Sequence, residues 1–81
     1  MEASTKELDR IISGRHITIV LQPIFDPSRS RIVAYEALTR GPADSPLHAP
    51  LDLFAAAGAA ERLPELEQLC LSEAMEHFVE L

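Results

Sequence analysis

Glu36 stands inside a short apolar run, Ala34-Tyr35-Glu36-Ala37-Leu38, and Arg40 follows just past its end. Burying an unpaired carboxylate is costly, so one inside a buried strand needs a partner, a metal or a proton. Carboxylate oxygen suits a hard divalent cation such as Mg2+ or Mn2+. The plainer alternative is a strand-end carboxylate that reaches water or an arginine, since structural ion pairs also bury such groups. Arg40 carries a planar fork that fits two phosphate oxygens, although an isolated arginine serves equally as a solvated surface charge. At the rise of an extended strand the Cα atoms of Glu36 and Arg40 lie roughly 13 Å apart, so separate contacts to one extended ligand fit better than a direct ion pair. Gln22, just before Pro23, offers an amide that donates and accepts, which suits the edge of a base. A Gln in that place also serves a purely structural end to a strand.

The rest of the chain offers no competing chemistry. His16, His48 and His77 are scattered without metal-ligand spacing. Glu73 and His77 share a helical face, but two ligands make no site. Cys70 falls on an apolar helical stripe and reads as a packing residue. No Gly-rich phosphate loop, zinc motif or Gly-x-Ser-x-Gly occurs. A single cysteine excludes an intrachain disulfide and suits a reducing cytoplasm.

With 81 residues, 47% apolar and 25% charged, the chain fits one small folded unit with a modest core. Its net charge of −6 disfavours non-specific binding to nucleic acid or anionic lipid, yet leaves a local arginine free to hold a phosphate. No signal-peptide pattern opens the chain, and no apolar run approaches membrane-spanning length.

The elements that must position these residues are readable. Residues 1–14 predict a helix, with Ser4 and Glu7 at capping-box spacing, Leu8, Ile11 and Ile12 on one face, and Gly14 as its stop. Residues 16–25 predict a strand that either ends at Pro23 or lies on a sheet edge there, and residues 31–38 a second strand, both apolar on both faces. Alternation places Ile32, Ala34, Glu36 and Leu38 on one side and Val33, Tyr35 and Ala37 on the other. The turn Asp26-Pro27-Ser28-Arg29-Ser30 between them is too short for a crossover, so the strands are expected antiparallel. Gly41 to Pro50 reads as a loop of functional or variable character. Pro50 opens a helix in which Leu51, Phe54, Ala55 and Gly58 follow at helical spacing. A last helix runs from Leu63 or Pro64 to the end. Leu66, Leu69, Cys70, Ala74 and Phe78 form its stripe, widened by Leu71, Met75 and Val79.

Gln22-Pro23-Ile24, the short turn, Glu36-Ala37-Leu38 with Arg40, the Phe54-Ala55-Ala56 stretch, and Arg62-Leu63 with Glu65-Leu66-Glu67 occur in this order. Together they resemble the N-terminal third of the EAL domain, a family named for the Glu-Ala-Leu found here at 36–38. The family hydrolyses the bacterial second messenger cyclic di-GMP. The resemblance implies an α/β fold, namely the N-terminal fragment of a (β/α)8 TIM-type barrel of about 250 residues. It divides the chain into a leading helix or linker at 1–15 and an incomplete barrel at 16–81. It implies that Glu36 is one ligand of the catalytic Mg2+ or Mn2+, that Arg40 contacts a phosphate, that Gln22 touches a guanine and that Leu38 lines the nucleotide pocket. Glu67 stands where the family more often has Asp. Glu61 stands where a Gly is common, so the break between the last two helices is expected to be lost. The family's Asp-Asp motif is absent, and the only Lys is Lys6. Metal-assisted hydrolysis needs several ligands and an activated water, so this chain alone is expected to be catalytically incomplete. The alternative is a truncated, non-catalytic module that binds cyclic di-GMP, a partner or itself. The open hairpin edge and the broad apolar helix face predict self-association.

Overall fold

The structure, a computed structural model, describes residues 2–80, with side chains over 4–76. His77, Phe78, Val79 and Glu80, read above as part of the last helix, therefore have no described side chains. The element order is α1 (Glu2–Gly14), β1 (Thr18–Asp26), β2 (Arg31–Arg40), α2 (Pro50–Ala59) and α3 (Leu63–Glu80). The fold is mixed α/β, with an antiparallel hairpin and three helices.

Helix α1 begins by Glu2, so Ser4 lies within its first turn and does not cap it. Leu8 and Ile11 are buried on its inner face, and Ile12 packs beside them. Gly14 is the last helical residue, but the chain turns at Arg15, which takes the left-handed conformation at φ 56°. The His16 N–H donates to Ile11 O at 2.9 Å and the Arg15 N–H to Ile12 O at 3.2 Å, satisfying two terminal carbonyls. The same closure recurs at α2. Arg62 N–H donates to Ala57 O at 2.8 Å and Glu61 N–H to Gly58 O at 3.2 Å. Glu61 sits at φ 56°, so the break between α2 and α3 survives without a glycine, contrary to the expectation drawn from Glu61. Carrying a Cβ into this conformation costs free energy. Glu61→Gly is therefore expected to stabilise the fold by about 0.5–1 kcal/mol, net of the glycine's greater unfolded-state entropy. An unchanged urea midpoint would show that the turn is unstrained.

The loop after β2 is ordered by its own hydrogen bonds. Gly41 N–H donates to His48 O at 2.9 Å, Ser45 N–H to Pro42 O at 3.0 Å, and His48 N–H to Ser45 O at 3.1 Å. His48 Nδ1–H donates back to Gly41 O at 2.8 Å. The loop thereby inserts Leu47 and Ser45 into the interior. Ser45 Oγ accepts from the Leu47 N–H and donates to Glu7 Oε2 at 2.6 Å, tying the loop to α1. Glu7 also accepts from Arg10 Nε at 2.7 Å. Its side chain is only 18% exposed. The Arg10 and Ser45 hydrogen bonds pull its carboxyl from the ordinary 4.5 down to about 2. Because the folded value lies below the unfolded one, this group's contribution is complete above about pH 4.5 and is lost as pH falls toward 2. Glu7→Gln is expected to remove that part of the acid sensitivity, read as a flatter stability profile below pH 4.5. A profile as steep as that of the parent chain would exclude the link.

Pro50 opens α2 at its first turn, where its missing N–H costs nothing. The buried positions are Leu53 and Ala57, with Phe54 half-buried, while Leu51 is fully in solvent. The inward face thus sits two residues beyond the Leu51 start read from spacing. Along α3, Leu66 and Leu69 are buried and Cys70 and Ala74 half-buried, whereas Leu71 and Met75 face water. One core joins Leu8 and Ile11 of α1, Ile17, Ile19 of β1, Leu47, Leu53 and Ala57 of α2, and Leu66 and Leu69 of α3. Arg15, paired with Glu73 at 2.7 Å, and Arg62, paired with Asp9 and Glu65, tie α1 to α3 at the surface. Such exposed pairs orient the helices more than they stabilise them.

Candidate functional site

The hairpin register decides which side chains can act together. Thr18 pairs with Arg40, Val20 with Leu38, Gln22 with Glu36, and Ile24 with Ala34. Directly opposed residues share a face of the sheet. Gln22, Glu36, Leu38 and Arg40 therefore stand on one face, with Gln22 and Glu36 as immediate cross-strand neighbours. The turn that sets this register is built by Asp26, whose Oδ1 accepts from the Ser28 N–H at 2.9 Å and from its hydroxyl at 2.6 Å. Those hydrogen bonds, the hydroxyl's first, lower the Asp26 pKa.

The opposite face carries Ile19, Leu21 and Thr39. Ile19 is buried and Leu21 packs against the core. The Cys70 thiol of α3 reaches Thr39, and burial raises its pKa. The helices thus cover one face near the base of the hairpin and leave the Gln22–Glu36 face open.

Burial is where sequence and structure part. The run around Glu36 reads as a buried strand, yet β2 is exposed from Arg31 through Ala37 and half-buried only from Leu38 to Arg40. The cause is simple: the sheet has two strands, and no described element lies on this face. Among the described residues, Glu36 makes no hydrogen bond or ion pair. Arg40 donates from Nη1 to Thr39 O at 3.0 Å, and β2 stays extended through it, so the two charges remain separate as the strand spacing requires.

A second departure is a bulge. The register slips between Ile24 and Phe25, leaving Val33 unpaired and setting Phe25 opposite Ile32 and Asp26 opposite Arg31. Ile32 thereby joins the face of Tyr35, not that of Glu36 as strict alternation predicts. Val33, one β-branched residue among several, carries no sequence signal for this.

The fit of a divalent cation can be judged from the donors. Glu36 supplies one carboxylate and Gln22 one amide oxygen. Mg2+ prefers about six oxygens in near-octahedral geometry, so these residues form part of such a site and not the whole. Among the described residues, no group of three or more His, Cys, Asp or Glu is placed to hold a metal ion. The open grooves beside Ile12, Arg15 and Leu69, and beside Pro46, Asp52 and Ala56, are lined by other residues. No helix among the described residues is long and apolar enough to cross a membrane.

No protein-family model, curated protein or solved structure matches this chain. The class defined by fold and site is a mixed α/β unit whose hairpin offers one uncovered face bearing an amide, a carboxylate and a guanidinium.

Proposed function

We propose that this chain is the N-terminal portion of an EAL-type phosphodiesterase domain, which hydrolyses cyclic di-GMP to its linear dinucleotide with Mg2+ or Mn2+. The observation that carries the reading is the register, which sets Gln22 against Glu36 and keeps Leu38 and Arg40 on the same open face. A base edge, a metal-bridged phosphate, a ribose or base surface and a second phosphate call for these four groups in turn: Gln22, Glu36, Leu38 and Arg40. In a (β/α)8 barrel the face turned away from the helices is the barrel interior. The open face of this hairpin is the face its own helices leave free. One carboxylate does not activate a water, so the remaining ligands and the proton-transfer groups belong to strands beyond those described. The cytoplasm is the compartment that suits this chemistry and the lone cysteine.

Two measurements test the proposal. The chain with cyclic di-GMP and Mg2+ or Mn2+ should show no turnover, and measurable hydrolysis would contradict the incomplete site. The coding sequence beyond Leu81 should continue with further carboxylates and a lysine. In that longer protein Glu36→Gln should lower kcat/KM by ~100-fold or more, the scale of losing one preorganised electrostatic group. A stop codon after Leu81 would sink the enzyme reading. It would favour the alternative, a non-catalytic module that binds cyclic di-GMP or a partner through the same face. The exposure of Glu36 favours that second reading, since a solvent-facing carboxylate is open to a hydrogen-bond donor of a partner without any metal.

A further inference from the structure

Where α1 passes into β1 the surface holds a shallow groove lined by Arg10, Arg15, His16, Ile17, Thr18 and Pro42. This lining carries two guanidiniums, an imidazole and a hydroxyl, and no carboxylate. The chain as a whole has 13 acidic residues against 7 Lys and Arg, so this patch runs against the average. Both arginines are held on one side only. Arg10 donates from Nε and Nη2 to Glu7, at 2.7 and 3.1 Å, which leaves Nη1. Arg15 donates from Nη2 to Ser72 Oγ at 3.1 Å and to Glu73 Oε1 at 2.7 Å, which leaves Nε and Nη1. The two carboxylates thereby fix the forks and leave donors over. Arg15 takes the left-handed conformation at φ 56°, which a glycine would adopt at lower cost but without a guanidinium. Thr18 stands opposite Arg40 in the hairpin, so a third guanidinium belongs to the adjoining strand.

We propose that this groove binds a phosphate dianion, either free or as the terminal group of a phosphomonoester. Basic residues near the end of α1 also complement the carbonyl end of the helix. That end carries only about half a negative charge, less than the two guanidiniums supply. Neither Glu7 nor Glu73 lines the groove. Their side chains are 18% and 20% exposed, against 53% and 49% for Arg10 and Arg15, so an approaching anion meets the cations before their partners. Coulomb attraction to the nearer charges then outweighs repulsion from the farther ones. Phosphate suits this lining better than a carboxylate does. Its oxygens point tetrahedrally, so one ion accepts from two guanidiniums that approach along different directions, and from a hydroxyl as well. With about half of each arginine side chain in water, binding is weak, with a Kd on the order of 1 mM. The groove takes no part in the phosphodiesterase reading and does not depend on it.

Titration of the whole chain with inorganic phosphate tests the site, followed by proton–nitrogen correlation spectra with ionic strength held constant by sodium chloride. At about pH 7.5 the phosphate is largely doubly charged. Saturable shifts should appear at the amides of Arg15, His16 and Thr18 and at the Nε–H of Arg10 and Arg15, with none at the hairpin tip around Ser28. Arg15→Gly keeps the left-handed turn and should weaken binding at least ~10-fold, the scale of one hydrogen bond to a charged group. Arg15→Lys keeps the charge without the fork and should fall between the two. Arg29→Gln removes a guanidinium outside the groove and should leave the Kd unchanged. Ribose 5-phosphate, titrated in parallel, separates the sources: tighter binding than inorganic phosphate assigns the site to a phosphomonoester, weaker binding to the free ion. Shifts that never saturate, or that chloride alone reproduces, overturn the proposal. Equal weakening by Arg29→Gln overturns the location and reduces the effect to net charge. Glu36→Gln should leave the Kd unchanged, so failure here is distinct from failure of the functional reading.

Discussion

Leu66→Ala is expected to leave much of the population unfolded at room temperature. Leu66 is fully buried, in the one core that joins α1, β1, the 41–49 loop, α2 and α3. Truncating a buried leucine removes its transfer free energy and leaves a cavity, together about 2–5 kcal/mol. A core this small supplies only about 3–5 kcal/mol in total, so the loss is comparable to the whole. Urea denaturation followed by circular dichroism should show a midpoint near zero denaturant or no folded baseline. Leu71→Ala is the control: Leu71 is 63% exposed on the same helix. It should shift stability by no more than about 0.5 kcal/mol. Equal effects at the two positions would mean that α3 does not seat on the core through Leu66.

Gly41→Ala is expected to be the second most damaging change, for a different reason. Gly41 is buried where β2 ends, and its φ is not in the left-handed region, so the backbone tolerates a side chain in principle. Space does not. An added Cβ would lie 2.2 Å from Leu47 O and 3.0 Å from Leu47 C, both main-chain atoms of the loop that Gly41 itself closes. The methyl must push Leu47 away, which strains the Gly41–His48 hydrogen bonds and lifts Leu47 from the core. Overpacking of this kind costs about 1–3 kcal/mol, and each weakened hydrogen bond adds about 1 kcal/mol. The loop also presents Ser45 to Glu7, so the variant should lose part of its acid-range pH dependence along with its stability. Ser45→Ala should remove the same pH dependence with a smaller loss of midpoint, and a double-mutant cycle should show the two changes coupled. Additive effects would mean that loop closure and the Glu7 contact are independent.

Much of the architecture was legible because its signals are local. The hairpin followed from two β-branched runs joined by Asp-Pro-Ser turn chemistry, and α2 from Pro50 at a first turn. That Gln22 and Glu36 share a face comes from the register, which the turn residues alone do not specify. What stayed hidden depends on contacts distant in sequence. Whether Glu36 is buried depends on which elements lie over β2, and a run of apolar letters does not say. The bulge at Val33 reassigns Ile32 and Arg31 although no glycine marks it. Arg15 and Glu61 end helices in a conformation that glycine usually takes, at positions where composition points elsewhere. Ser45 reads as one more polar loop residue, yet it is buried and holds Glu7.

The hairpin runs on past the helices that cover its base, so firmness is unevenly distributed along single strands. The radius of gyration is 14.6 Å, against about 12 Å for an evenly rounded chain of this length. Ile19 is gripped by the core, whereas Phe25, a few residues along the same strand, is held by the ladder alone. Main-chain amides near the tip should therefore trade their protons for solvent deuterons through local fraying, while those near Ile19 wait for the whole molecule to open. One β-strand thus spans nearly the full range of opening rates, and its slowest amides mark the point where the helices cease to hold it.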